Sequence, residues 1–202
     1  PEESMRMLNQ DDLPLPYVIP EEHLIQLGPI TTCRDIFVLN IVAGIVSNLH
    51  LLITPNTPES FIFWYKILEN ELQSKPFTMD SNIYPLNEKI VIRIRSSFAI
   101  LQKYLQMKSS MFVVLKHGGS VAGESEVDLR PLLLGSSLDE WLCKCRDNEI
   151  QLKERCFLRT IDRRDELIQI EERPFLDLQL VLKYIGHCPN LPVNTSEIFE
   201  LM

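Results

Sequence analysis

From residue 35 onward, apolar and polar residues alternate in short runs, which is the pattern of β-strands that bury one face. The clearest run is EKIVIRIRSS (88–97). One face of that run carries Ile90, Ile92 and Ile94, and the other carries Lys89, Val91, Arg93 and Arg95. The other predicted strands are DIFVLNIVA (35–43), SFIFWYKIL (60–68), SMFVVLKH (110–117), AGESEVDL (122–129), EIQLKERCFLR (149–159) and FLDLQLVLKYIG (175–186).

The hydrophobic period changes after the strand that ends near residue 96. Ser96 and Ser97 offer hydroxyls for a helix N-cap, and the apolar residues that follow recur at helical spacing. This predicts a helix over about 97–108. Further on, Gly118 and Gly119 lie between two alternating runs, and two glycines suit the paired positive φ angles of a tight hairpin.

The first thirty residues differ from the rest of the chain because they are acidic and carry Pro14, Pro16, Pro20 and Pro29, whose spacing disfavours a helix over most of the segment. We divide the chain into an N-terminal extended lead-in (1–30), a domain (31–186) and a C-terminal tail (187–202). The lead-in could pack on the domain through Leu24, Ile25 and Leu27. Because the chain starts with Pro1, we expect it to be part of a longer protein.

Seven or eight strands, one helix and frequent turn residues favour an all-β sandwich. A mixed α+β domain with a helix across one sheet is the alternative. The chain has 202 residues, of which 45% are hydrophobic, so it can bury a sizeable core.

Charge and cysteine content narrow the class of protein further. The formal net charge of −8 argues against a general surface for nucleic acids or anionic membranes. The five cysteines are odd in number, and the N-terminal segment lacks the pattern of a signal peptide, so we expect reduced thiols and a cytoplasmic setting. The longest apolar run, which starts at Ile36, is far too short to span a bilayer.

Motifs for catalysis or metal binding are weak throughout the sequence. The glycine-rich turn is followed by Glu124 rather than by the lysine of a phosphate-binding loop. Cys143 and Cys145 are separated by one residue, which is atypical of structural zinc sites. No serine or cysteine lies in a recognisable nucleophile motif. We therefore predict no enzyme activity, no catalytic or metal-binding residue and no cofactor.

The one feature with functional promise is a basic strip on strand 88–97 and on the helix that follows it. Its residues are Lys89, Arg93, Arg95, Lys103 and Lys108. Their potential could capture an acidic partner, such as a phosphoinositide headgroup, an acidic peptide or the acidic tails of tubulin. The alternative is an ordinary polar face of a sheet that the chain's own carboxylates neutralise.

With these segments placed, their order resembles a C2 domain, and in particular the C2 domains of a family of centriolar proteins. The most specific match is VIRIRSSFAILQKYLQMKSSMFVVLKHGGSVAGESEVDLRPLL (91–133), and PYVIPEEHLIQLGP (16–29) and FIFWYKILENELQSKPF (61–77) are similar to the same family. The resemblance implies a C2-type antiparallel eight-stranded β-sandwich with one or two short helices.

The resemblance also bears on the glycine-rich turn. In calcium-binding C2 domains, the corresponding loop supplies several aspartates, and calcium needs six to eight oxygen ligands. Here residues 117–123 contain no carboxylate, and TPNTPES (54–60) offers Glu59 alone. We expect a loop that has lost its calcium ligands, and therefore no calcium-driven membrane docking.

By this resemblance, the chain is expected to be a non-enzymatic, calcium-independent scaffold at the centrosome and centriole, within the cytoplasm. It would mediate protein–protein interactions in centriole assembly, elongation and ciliogenesis. The expected partners are centriolar proteins, with tubulin or microtubules among them; nucleic acid and calcium are not expected, and membrane binding is disfavoured. The alternative function is a calcium-independent phosphoinositide-binding C2 domain at a membrane surface.

Overall fold

The computed structural model describes residues 13–53, 60–160 and 168–188, and two β-sheets form most of this part of the chain. The strands are β1 (Tyr17–Ile19), β2 (Leu24–Gln26), β3 (Asp35–Ser47), β4 (Phe61–Ile67), β5 (Asn70–Gln73), β6 (Ile83–Ser96), β7 (Ser110–His117), β8 (Ser120–Asp128), β9 (Glu149–Phe157) and β10 (Phe175–His187). The helices are α1 (Phe98–Met107) and α2 (Leu138–Lys144), and short 3-10 turns cover 20–22, 49–52, 130–133 and 170–172.

The strands form a six-stranded sheet in the order β1-β2-β6-β3-β10-β9 and a four-stranded sheet in the order β5-β4-β7-β8. All neighbouring strands in the described sheets are antiparallel except β2 and β6, which are parallel. Without the short strands β1 and β2, each sheet contributes four strands. The predicted eight-stranded antiparallel sandwich with one or two short helices is therefore confirmed, and the mixed α+β alternative is not observed.

The core lies between the inner faces of the two sheets. On β10, the inward-facing leucines at positions 176, 178, 180 and 182 are all buried, as their alternation predicted. From the other sheet, Phe63, Tyr65 and Leu115 pack against the same cluster. On β6, Ile92 and Ile94 are buried as well. The outer face of each strand is therefore the one that meets solvent or a partner.

Helix α1 begins where the sequence pattern changes period. Ser97 is the N-cap, and its hydroxyl accepts a hydrogen bond of 3.3 Å from the backbone N–H of Ile100. Phe98, Leu101 and Leu105 form the buried stripe of the helix. The predicted helix over 97–108 is confirmed, and it carries the chain from the six-stranded sheet to the four-stranded one.

The predicted hairpin at the glycine pair is also confirmed, since it joins β7 to β8. Gly118 and Gly119 have φ angles of 55° and 82°, which glycine adopts without the steric cost that a Cβ would add. The turn follows strand β7 and leads into a strand rather than into a helix.

Two elements lack a clear signal in the sequence. Strand β5 follows a turn at Leu68 and Glu69, which both have positive φ angles although neither is glycine. Helix α2 has only seven residues and is capped by the Ser137 hydroxyl. It is held on the core by Trp141, whose side chain is fully buried and whose indole N–H donates to the Leu132 carbonyl at 2.9 Å.

The described part of the predicted lead-in is joined to the domain. Strand β2 adds to the edge of β6, and Leu24, Ile25 and Leu27 are buried. The Leu27 N–H donates to the Arg95 carbonyl at 2.9 Å. The division at residues 30 and 186 stays a prediction, and residues 1–12 and 189–202 lie outside the described part. Within the described ranges, no helix has the length and apolar character to cross a membrane.

Candidate partner-binding site

The structure divides the predicted basic strip among three environments. Lys89 and Arg93 lie on the outer face of β6, where alternation placed them, with Lys89 exposed and Arg93 half-buried. Arg95 belongs to the same alternation but is covered by the lead-in. Lys103 and Lys108 lie on and just after α1, which leaves the six-stranded sheet. The five residues therefore do not form one continuous surface.

Arg95 is corrected from an accessible cation to a buried one. Its side chain is 2% exposed, and its Nη1 donates to the Glu22 carboxylate at 2.6 Å. Its Nε donates to the Gln26 side-chain oxygen at 2.6 Å. Both partners come from the lead-in, about seventy residues earlier in the chain. The Arg95 guanidinium therefore fastens the lead-in to the sheet and is not presented to an external partner.

Lys108 is also engaged within the chain. Its ammonium group forms an ion pair with Glu69, in the turn between β4 and β5, and this contact lowers the pKa of the Glu69 carboxyl. The Tyr104 hydroxyl donates to the same carboxylate at 3.3 Å. Lys108 thus faces the hairpin of the four-stranded sheet, and Lys103 is half-buried on α1.

The register of the six-stranded sheet brings two further lysines to the face that carries Lys89 and Arg93. One row across the sheet is Lys89, Val42, Gln179 and Lys153; the next is Val91, Asn40, Val181 and Gln151; the third is Arg93, Val38, Lys183 and Glu149. We call the outer surface formed by these three rows the basic face. Lys153 and Lys183 were not predicted as site residues, because only the pairing of β9 with β10, and of β10 with β3, places them on the same sheet face as Lys89 and Arg93.

Two carboxylates lie on or next to the basic face: Glu149 in its third row, and Asp177 in the row beyond Gln179 and Lys153. Asp177 accepts hydrogen bonds from Arg155 through both of its oxygens, at 2.7 and 2.8 Å. Glu149 accepts a hydrogen bond of 3.0 Å from the Gln151 amide. Among the described residues, Lys89, Lys153 and Lys183 form no ion pair. The face therefore keeps a local positive charge although the whole chain has a formal net charge of −8.

The hairpin that joins β7 to β8 is the loop for which the sequence predicts no calcium ligands. Its residues lie where the sequence placed them, between paired His117 and Ser120. In the part of the chain that the structure describes, no group of three or more His, Cys, Asp or Glu residues is placed to hold a metal ion. The second loop considered for calcium falls almost wholly on 54–59, outside the described residues.

The cysteines occupy unrelated positions. Cys143 is exposed on α2, whereas Cys156 is buried on β9. Burial, followed by the nearby Glu154 carboxylate, raises the pKa of the Cys156 thiol to about 12. A thiol in that state is protonated at neutral pH and is a poor nucleophile.

These sheets, helices and surfaces define the chain as an all-β sandwich domain with a basic outer face. The model of one family, described as Cep120 protein, matches residues 14–184, which is nearly all of the described chain. The chain belongs to the Cep120 protein family.

Sequence relatives agree with this assignment. Centrosomal protein of 120 kDa is 34% identical over 121 residues in Mus musculus and 33% identical over 121 residues in Homo sapiens; each match covers 56% of this chain and 12% of the relative. The Xenopus tropicalis protein of the same name is 31% identical over 119 residues, which cover 56% of this chain and 14% of the relative. The chain thus matches about an eighth of the length of these relatives.

Similar solved structures include two that contain C2 domains. A structure of extended-synaptotagmin 2 that comprises its SMP domain and two C2 domains has a TM-score of 0.47 at 12% identity, covering 74% of this chain and 28% of that one. A second structure, of the two C2 domains of the same protein without the SMP domain, has a TM-score of 0.47 at 11% identity, covering 78% of this chain and 42% of that one.

Proposed function

We propose that this chain is a non-enzymatic, calcium-independent C2 scaffold domain of a centrosomal protein. In this role it mediates protein–protein contacts in centriole assembly, elongation and ciliogenesis. The observation that carries the proposal is the match of residues 14–184 to the Cep120 protein family, whose relatives are named centrosomal proteins. The partners are centriolar proteins, with acidic tubulin tails among the candidates.

The geometry supports a binding role because the accessible charge lies on a flat sheet face rather than in a cleft. Lys89 and Arg93 are held at fixed positions by the pairing of β6 with β3. Residues 117–123 provide no carboxylate from which a calcium cage could start. Because strand pairing fixes the backbone under these side chains, the face can bind a partner with little change in its own backbone.

The proposal is tested by fusing residues 1–202 to a fluorescent protein and expressing the fusion in human cells. We expect enrichment at centrosomes above the level of free fluorescent protein. As a matched control, Leu178→Asp and Leu180→Asp introduce charges into the core and should abolish the enrichment by unfolding the domain. A wild-type fusion that is spread evenly through the cytoplasm would contradict the centrosomal role.

The accessible lysines of the basic face also support a second candidate function, which is calcium-independent binding of phosphoinositides at a membrane surface. Sedimentation with vesicles that contain phosphoinositides, compared with vesicles of neutral lipid, separates the two functions. Strong pelleting with the phosphoinositide vesicles alone would favour the second function.

A further inference from the structure

We propose that the basic face binds an extended acidic segment of a protein partner, and that Lys153 and Lys183 supply contacts equal in weight to those of Lys89 and Arg93. This inference rests on the proposed function, since it names the surface and the chemistry of the partner for the same scaffold domain. It changes the predicted site, because Arg95, Lys103 and Lys108 are left out and lysines on two other strands are added.

The dimensions of the face suit a single extended chain. Adjacent strands lie about 4.8 Å apart, so Lys89 and Lys153, at the two ends of one row, are separated by about 14 Å at the backbone. Along β6, Lys89 and Arg93 are about 13 Å apart, at about 3.3 Å per residue. Each of these spacings is close to the length of four residues of an extended peptide.

The spacing of the cations also favours separate carboxylates over one phosphate group. A phosphate or a headgroup is held by cations that converge on the same few oxygens. Here the cations are spread over three strands, and the backbone separation between any two of them exceeds the screening length of about 8 Å at physiological ionic strength. Lys89, Lys153 and Lys183 therefore each act mainly on the nearest anion, which a chain with regularly spaced Asp or Glu side chains provides.

The floor between the cations is apolar enough to hold small side chains that lie two residues from each acidic one, because residues two apart point to the same face of an extended peptide. Val38, Val42 and Val181 are half-buried, and Val91 is 52% exposed. Burial of exposed valine surface favours binding, before the costs of association. The best-matched partner thus has an acidic residue at every fourth position and a small apolar residue midway between two acidic ones.

Charge on the rest of the molecule restricts the length of the partner. The formal net charge is −8, so a long polyanion that extended beyond the basic face would meet repulsion. A short acidic segment that fits within three rows of the sheet avoids this repulsion. The preference distinguishes a peptide from a nucleic acid or a broad anionic membrane.

The test is fluorescence anisotropy with a labelled eight-residue peptide that has glutamate at positions 2 and 6, valine at positions 4 and 8, and serine at the other positions. The control peptide has glutamine in place of each glutamate. We expect wild-type protein to bind the glutamate peptide, with an affinity that falls as salt is added, and to bind the glutamine peptide at least tenfold more weakly. The double variant Lys153→Glu/Lys183→Glu should lose at least tenfold in affinity while keeping the wild-type unfolding midpoint.

A matched control variant is Lys66→Glu/Lys116→Glu, which makes the same charge change on the other sheet. It should bind within about twofold of wild type, since Lys66 lies on β4 and Lys116 lies on β7, where its ammonium group is 3.6 Å from the centre of the Trp64 ring. Equal losses in the two double variants would overturn the inference, because only net charge would then matter. Binding to phosphoinositide vesicles without binding to the glutamate peptide would overturn it as well.

The inference and the proposed function can fail separately. If the wild-type fusion is enriched at centrosomes but the purified protein does not bind the glutamate peptide, the docking surface is wrong and the scaffold role stands. If the protein binds the peptide through Lys153 and Lys183 but the fusion is not enriched, the surface is right and the centrosomal role is wrong.

Discussion

Arg93 and Arg95 lie on the same strand, but Arg93 is half-buried whereas Arg95 is buried. Four positions separate it from Val91, which is 52% exposed, yet Arg95 is 2% exposed because Glu22 and Gln26 fold over it. The alternation of β6 placed Arg95 correctly on the outer face, but no local pattern could reveal a cover that comes from residues about seventy positions away. Accessibility was therefore the part of the site that the sequence could not predict.

At this scale we predict that Arg95→Met destabilises the protein by about 3 kcal/mol, because removing one partner of a buried ion pair leaves the other charge uncompensated. Urea denaturation followed by circular dichroism measures the change. The matched control is Arg155→Met, which breaks the exposed pair with Asp177 and should cost less than about 1 kcal/mol. Similar costs for the two variants would contradict the fastening role of Arg95.

The elements differ in how strongly their sequences specify them. Strand β6 and helix α1 follow from the change of period at Ser96 and Ser97, because each is long enough to show several repeats. Strand β2 has three residues, all buried, so it shows no alternation. Helix α2 spans less than two full turns after Ser137, which is too short to show a helical repeat in the sequence. Its position depends on the packing of Trp141 against the core, which only the structure shows.

The residues of the candidate site could also be predicted only in part, because the site depends on how the strands pair. Lys89 and Arg93 were identified because they alternate on one strand. Lys153 and Lys183 alternate equally well on β9 and β10, but their relation to β6 depends on the order β6-β3-β10-β9. Strand order is set by contacts between distant segments, so the sequence of any one strand does not contain it.

For the lead-in we predict that a fragment covering 31–186 is less stable than a fragment covering 13–188 by at least about 3 kcal/mol, since burial of each large apolar side chain contributes roughly 1.5–3 kcal/mol. The shorter fragment loses buried Leu24, Ile25 and Leu27 and leaves Arg95 without its partners. Equilibrium unfolding in urea measures the difference. Equal stability of the two fragments would show that the domain starts at residue 31.

At the scale of the whole molecule, the sandwich combines an acidic overall charge with one basic face. The residues that carry this face lie on four of the six strands of one sheet, whereas the hairpin at Gly118 and Gly119 lies on the other sheet. Binding by the proposed surface would therefore not involve this hairpin.

We predict that millimolar calcium leaves the thermal midpoint of the protein unchanged, because a ligand stabilises a fold only if it binds the folded state. Differential scanning fluorimetry with calcium and with the chelator EGTA measures this. Magnesium at the same ionic strength is the control for general screening by salt. A rise of several degrees that is specific to calcium would contradict the proposed calcium independence.

The position of β3 at the centre of its sheet has a consequence for biosynthesis. Its partner β6 follows within about fifty residues, but its other partner, β10, pairs Asp35 with His187 and is the last described strand to leave the ribosome. Until then one edge of β3 remains open, and open edges invite aggregation. Nascent chains that stall before residue 175 should therefore depend on chaperones to remain soluble.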